Sequence, residues 1–309
     1  RSLLEQNTGK PFSQHSAAEK RKIILLFLVC IFLWASAFTA ITIGAREFEP
    51  GHLALLRYGF ASLILIVYAL LKKMPLPRLQ DVPIFLLTGF LSFTLYNITL
   101  ITGQKTVPAG TSSVIIALNP VIVALLAGLV LNEKLNRNGI IGIFIAFIGV
   151  VIAVIDWKHG LTLTKGVFWI LIASLSASTS TILQKKWIAR YSGEQVMTYS
   201  IWGGTLLLLF YLPGLVHSLP SISTKAILTA LYLGAFPGVI AYLVWGYLLS
   251  EIPAHQANSF LFMDTIGAML IAWLVLGEVP GIQVLFGFIL ILIGLFLVNG
   301  SRQSEKVVS

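Results

Sequence analysis

Ten mostly apolar stretches, each about as long as a helix needs to cross a bilayer, dominate this sequence. They run over 23–43, 52–71, 83–103, 108–131, 138–155, 165–184, 195–213, 226–249, 254–276 and 281–299, each closed off by charge, Pro or Gly. A helix of about 20 residues spans the hydrocarbon core, and in lipid it satisfies its own backbone. The expected fold is an all-α membrane protein of ten transmembrane helices. The connections are short, so no soluble domain is inserted between them. Polar tails at 1–22 and 300–309 are expected to be mobile, as chain ends commonly are. The first run is too long, and too polar at Trp34-Ala35-Ser36, to read as a cleaved signal peptide, and no small-residue cleavage site follows it.

Composition enters here as an exclusion. Of 309 residues only 11% are charged and 57% are apolar, with a mean hydropathy of +0.90. A soluble domain carries roughly 25% charged residues, so ionised side chains cannot cover a globule of this size. That excludes a soluble enzyme, a disordered chain and a collagen-like fibre. The lone Cys30 excludes an intrachain disulfide, a cysteine metal cluster and a CxxC redox pair. The net charge of +9 maps onto topology. With the N-terminus inside, fifteen of the 21 basic residues fall on the cytoplasmic side and five outside, with Arg57 within a span. Positive charge favours the cytoplasmic face, so a multi-pass inner (plasma) membrane protein with both termini cytoplasmic is expected, and nucleic acid is not needed to explain the charge.

A shift of 145 residues lays 107–151 on 252–296. Pro108-Ala109 falls on Pro253-Ala254, Glu133 on Glu278, Gly142 on Gly287 and Ile148-Gly149 on Ile293-Gly294. Each half holds five helices, an odd number, so the second copy runs through the membrane in the opposite sense. Inverted repeats of this kind are how many secondary transporters obtain two mirror-related conformations, with the substrate site at the repeat interface. A structural duplication without that consequence is the other reading. The expected layout is a tail over 1–22, one repeat over 23–155, a second over 165–299 and a tail over 300–309.

The run Pro108-Ala109-Gly110-Thr111-Ser112-Ser113, then Asn119-Pro120, Leu131-Asn132-Glu133-Lys134-Leu135, Gly142 and Gly149, resembles the EamA domain of the drug/metabolite transporter superfamily. So do its second copy, from Pro253-Ala254 through Leu276-Gly277-Glu278 to Gly287 and Gly294, and the stretches Trp34-Ala35-Ser36, Leu56-Arg57 and Ala241-Tyr242-Leu243-Val244-Trp245. Ala35 stands where that family has Gly. The resemblance implies ten helices in two inverted five-helix repeats, a central cavity lined mainly by helices 1, 3, 4, 6, 8 and 9, and outward movement of small metabolites such as amino acids.

Asp264 is the sharpest functional signal. It lies near the middle of the ninth run, where a carboxylate is costly unless neutralised or paired. Its repeat counterpart is Asn119, also polar and mid-helix. A substrate-binding or proton-carrying role competes with a plain hydrogen bond to a neighbouring helix. Arg57 sits near the outer end of the second run. It is expected either to snorkel outward, to pair with Glu47 or Glu49, or to act as a gating or carboxylate-binding cation, with Asp264 a candidate partner. Trp34, Tyr96, Asn97, Asn119, Gln184, Tyr242, Trp245 and Asn258 are the rings and amides the resemblance aims at the cavity. Ring faces attract an ammonium group, and amides bind a carboxylate. Ordinary helix packing is the alternative for each. Glu133 and Glu278 read as interface anchors, the Ser/Thr run 174–181 as a small polar packing face, and Pro120 and Pro237 as helix interruptions.

Catalytic motifs are missing from the sequence. The five His are scattered, and no P-loop, GxSxG or HExxH occurs. The expectation is a secondary-active carrier without cofactor or metal, exporting amino acids or related amines, with a small-molecule substrate, the lipid bilayer and protons as partners, as a monomer or weak dimer. An importer or facilitator in the same fold, a passive channel, and a lipid-modifying membrane enzyme are the competing classes.

Overall fold

The computed structural model describes residues 12–130, 137–155, 164–187, 190–251 and 262–308. The expectations placed on Glu133, on the Pro253-Ala254 pair and on Asn258 lie outside these residues. The described chain is helical from end to end, with no strand among the described residues. In order the helices are α1 (Ala17–Gly44), α2 (Pro50–Leu71) and α3 (Leu79–Gln104). Then come α4, in two pieces (Ala109–Ile116 and Asn119–Val130), α5 (Arg137–Val154) and α6 (Lys165–Trp187). Next are α7 (Gly193–Leu208) and α8, again in two pieces (Thr224–Ala235 and Ala241–Glu251). Last are α9 (Phe262–Leu276) and α10 (Ile282–Val308).

Both expected tail boundaries shift. Ser16 and Glu19 form a capping box that starts α1 at Ala17, so residues 17–22 are helical. At the other end α10 runs on through Val308 instead of stopping at 299. A short turn, Leu209–Tyr211, and a small helix, Leu212–Ser218 with Pro213 in its first turn, extend α7 beyond 213.

The burial pattern is that of a lipid-facing molecule. Leu70, Phe210 and Phe296 are 73%, 83% and 80% exposed. Thr88, Asn97, Ser174, Ser180 and Ser200 are buried. A globule in water would not present such side chains all round, whereas apolar chains facing outward and small polar groups between helices suit a bilayer.

The inverted repeat is written into one contact. A Cβ on Gly142 would meet the carbonyl oxygen of Gly294 at 2.4 Å, and one on Gly149 would meet that of Gly287 at 2.6 Å. The early glycine of α5 thus meets the late glycine of α10 and the reverse, so the two helices run antiparallel. Repeat-related residues pair crosswise, as a two-fold relation lying between the helices requires. Only glycine permits backbones this close.

Two π-helical turns also obey the repeat. One, Phe90–Leu95, interrupts α3, and the other, Phe236–Ile240, joins the two pieces of α8. The shift that aligns the repeats carries one onto the other within a residue. Pro237 accounts for the second; no Pro explains the first. The carbonyls freed in α3 find partners: Leu91 O accepts from Ser176 at 2.8 Å, and Phe93 O from the Asn97 side chain at 3.0 Å.

Helix α6 is wedged between α3 and α4, and its Ser/Thr run serves both sides. Ser176 and Ser180, one turn apart, bond to α3 through Leu91 O and Thr88 O. Ser174 and Ser178, on the adjacent face, bond to the Asn119 side chain and main chain of α4. The run is therefore two packing faces rather than one.

Outside the spans, the carboxylate of Glu47 accepts from both the Oγ and the N–H of Ser223, each at 2.7 Å, tying the α1–α2 loop to the start of α8. Those hydrogen bonds hold its carboxyl below the usual carboxylate range. Glu278, read as an anchor, accepts from the Ala109 N–H at 2.8 Å and so caps the N-terminus of α4 across the repeat boundary. Replacing Glu278 by Ala is expected to lower stability by about 1 kcal/mol. A thermal melt in detergent measures this, and an unchanged midpoint would show the cap to be idle.

Candidate functional site

An aromatic chain runs through the centre of the helices. The ring of Trp34 on α1 lies 5.4 Å from that of Tyr242 and 5.5 Å from that of Trp245. Tyr242 and Trp245 are three residues apart and so share one face of α8. From Tyr242 the chain continues to Phe93, inside the π turn of α3, at 5.4 Å, and from Phe93 to Tyr58 on α2 at 5.2 Å. The Arg57 guanidinium stands 4.8 Å from the Tyr58 ring centroid. Such spacings and tilts suit the edge-to-face contacts that aromatic rings prefer. Trp34, Tyr96, Tyr242 and Asp264 are only half-buried, which leaves parts of them facing open space.

Asp264 enters from α9, which packs between α1 and α4. A Cβ on Gly267 would touch that of Ala35 at 3.0 Å, and Thr265 reaches Ser113 O at 3.4 Å. Oδ1 of Asp264 is buried and has no hydrogen-bond partner, and no ion pair reaches the carboxylate among the described residues. Asn119, its repeat counterpart, begins the second piece of α4 just after a break at Ala117-Leu118. Its Oδ1 accepts from Ser174, so that atom is engaged in packing α4 on α6.

Arg57 departs from the expectation of an outward cation. It is 4% exposed, and its Nη1 donates to Asn97 Oδ1 at 2.9 Å. Both acidic residues expected beside it are engaged elsewhere, Glu47 with Ser223 and Glu49 with Lys105 at 3.5 Å. The helix face decides this. A Cβ on Gly234 would lie 2.4 Å from Arg57 O, and Leu53, Ala54, Tyr58 and Ala61 are buried around it. The close packing of α2 on α8 turns Arg57 inward, too deep to snorkel. Asn97 is fully buried and links Arg57 to the π turn, its Nδ2 donating to Tyr58 Oη at 3.2 Å and to Phe93 O.

Of the residues singled out in the sequence, Trp34, Tyr242 and Trp245 meet directly. Arg57 and Asn97 join them through Tyr58 and Phe93. Gln184 bonds to Ser180 at 3.4 Å along its own helix and stays apart from the aromatic chain. Tyr58, Phe93 and Phe27, which lies 6.4 Å from Trp245, were not anticipated. In an apolar span they look like any other ring; Tyr58 alone had a cue, its place beside Arg57. No cluster of His, Cys, Asp and Glu fit to hold a metal ion occurs among the described residues.

The arrangement sets a half-buried carboxylate, a buried guanidinium and a chain of aromatic rings among the helices of both repeats. Comparison with known proteins identifies the family. The model of the EamA-like transporter family matches twice, over 21–155 and 164–300. The chain is 35% identical over 266 residues to the uncharacterized transporter YdfC of Bacillus subtilis, covering 86% of this chain and 87% of that one. It is 31% identical over 278 residues, 90% of this chain and 93% of the other, to a protein of Streptantibioticus cattleyicolor named a probable terminal-alkyne amino-acid exporter. A solved crystal structure shares the fold with a TM-score of 0.60 at 17% identity, covering 92% of this chain and 99% of its own. Two matched repeats and relatives that span nearly the whole chain lead to one conclusion: this protein belongs to the EamA-like transporter family and is a multi-pass membrane transporter of small metabolites, not an enzyme.

Proposed function

We propose that this transporter is a secondary carrier of the inner (plasma) membrane that exports amino acids or related small amines by alternating access. The observation that carries the reading is Asp264, a carboxylate in the first turn of the apolar helix α9, whose Oδ1 is buried without a hydrogen-bond partner among the described residues. An ionised carboxylate there needs a cation, and a proton or a substrate ammonium group supplies one. The two exclude each other on a single carboxylate, so proton entry and amine exit are linked through Asp264. Trp34, Tyr242 and Trp245 supply the ring faces that an ammonium and its apolar substituent favour. The antiparallel repeats supply two mirror-related states for the site to open in. The 31% identical relative named an amino-acid exporter supports the substrate class.

Proteoliposomes test this. Purified protein should accumulate radiolabelled amino acids or amines against an opposed proton gradient, and a protonophore should abolish the accumulation. Failure to move any amine-bearing compound would overturn the reading. The proposed orientation has its own test. Cys30 is fully buried and contributes little background, so single cysteines can be placed at Pro77 and Ser221. An impermeant maleimide applied to intact cells should label the Ser221 position and spare the Pro77 position. The reverse pattern would invert the topology.

A further inference from the structure

A groove of about 770 Å³ runs along the C-terminal half of α1. Its floor is α1 itself from Phe32 to Ile43, where Thr39 and Ala40 are buried. One wall is the first piece of α8, tied to α1 by the 2.6 Å hydrogen bond between Tyr232 and Ser36. The other wall is the end of α9, which meets α1 where Gly267 packs on Ala35. Leu228 on the first wall and Leu274 and Val275 on the second are exposed, so the groove faces hydrocarbon when the bundle lies in lipid. Its few polar groups are used up within the protein. Ser36 donates to Leu33 O at 2.8 Å and accepts from Tyr232, Thr229 donates to Lys225 O at 2.8 Å, and Thr39 Oγ1 is buried. Such a lining suits an apolar chain better than a water-soluble solute, which would lose its hydrogen bonds there. From Phe32 to Ile43 the floor covers about 16 Å of helix axis, close to half the hydrocarbon core and so the depth of one leaflet.

The mouth of the groove is basic. Lys225, in the first turn of α8, lines it, and Arg46 follows Ile43 by three residues, just past the end of α1. Both are exposed, and neither has an ion-pair partner among the described residues. The carboxylates at this end of the bundle are engaged: Glu47 with Ser223, Glu49 with Lys105 and Glu278 with Ala109. We infer that the groove is a binding site for an anionic phospholipid, with one acyl chain along α1 between α8 and α9 and the headgroup phosphate on Lys225 and Arg46. A phosphate at the membrane surface takes charge-assisted hydrogen bonds from such side chains. The orientation proposed above puts this lipid in the outer leaflet. Because α1 belongs to the first repeat and α8 and α9 to the second, a lipid that fits this groove stabilises the arrangement of the repeats that forms it.

The test is lipid binding to the full-length protein in detergent, read by native mass spectrometry and by the thermal midpoint. Dioleoyl phosphatidylglycerol is compared with dioleoyl phosphatidylcholine, which has the same chains and no net charge. Phosphatidylglycerol should bind at least about tenfold more tightly and raise the midpoint further. Replacing both cations, Arg46→Gln with Lys225→Gln, should bring phosphatidylglycerol down to the level of phosphatidylcholine. Exchanging them, Arg46→Lys with Lys225→Arg, should keep the preference. Leu228→Trp narrows the groove from its exposed wall and should weaken both lipids. Arg46, Lys225 and Leu228 are all exposed, so the fold does not depend on them. Equal binding of the two lipids by wild-type protein overturns the inference, and that comparison needs no variant. So does displacement of the lipid by glycerophosphoglycerol, the headgroup without chains, since that marks a free-phosphate site. A preference that survives both the paired Gln substitutions and Leu228→Trp puts the anionic lipid elsewhere on the molecule and overturns the inference as well.

Discussion

Replacing Asp264 by Asn is expected to abolish accumulation driven by a pH gradient, a loss of at least about 100-fold if proton and substrate compete for this one carboxylate. Asn keeps the size of the side chain and its capacity to hydrogen-bond, but it cannot ionise. The α9 contacts with Ala35 on α1 and Ser113 on α4 come from Gly267 and Thr265, so the helix should stay in place. Exchange of substrate across the membrane without a gradient can survive, because the aromatic wall is intact; net uphill movement cannot. Asp264→Glu should retain coupling, with an altered pH profile. If the carboxylate is only a packing group, Asp264→Asn will transport like wild type at every pH. That result would remove Asp264 from the mechanism and leave the rings and Arg57 as the site.

The second large effect concerns folding. Gly149→Leu places a branched side chain where a Cβ alone would lie 2.6 Å from Gly287 O, 3.0 Å from Ile291 N and 3.0 Å from Leu290 Cβ. Two of those atoms are backbone and cannot move aside independently. The α5–α10 pair must separate, at a cost of about 3 kcal/mol or more. Little monodisperse protein should be recovered, and its thermal midpoint should fall by many degrees. Gly142, Gly287 and Gly294 sit in equivalent contacts and should respond alike. Gly59→Ala on α2 is the control, since a Cβ there meets nothing within 4 Å and Ala is the better helix former. A Gly149→Leu protein that melts with the wild type would mean that α5 and α10 do not touch at this crossing.

The two predictions draw on different kinds of information. Asp264 was visible in the sequence because a charge inside an apolar run stands out against its neighbours, whatever the helix packs on. The glycines were visible as a pair seven residues apart in each repeat, but not as partners of each other. Nothing in the order of residues says that Gly142 meets Gly294 and not Gly287. That pairing exists because the second repeat is inverted and lies against the first.

The same division holds elsewhere. Ten spans, the duplicated halves and their opposed directions were legible, because a bilayer demands long apolar runs and an odd number of crossings reverses the next copy. Helix rotation was not, since rotation depends on contacts between residues far apart in the chain. It is rotation that buries Arg57, which spacing alone placed near the outer surface with Glu47 or Glu49 for company. Rotation also brings Tyr58 and Phe93 into one chain of rings with Trp34 and Tyr242. The π turn in α3 has no Pro to announce it, and it persists because Ser176 of α6 and Asn97 satisfy the carbonyls it frees. Apolar length is a local property that lipid reads directly, whereas the direction of a side chain inside a bundle is set by whichever neighbouring helix lies closest.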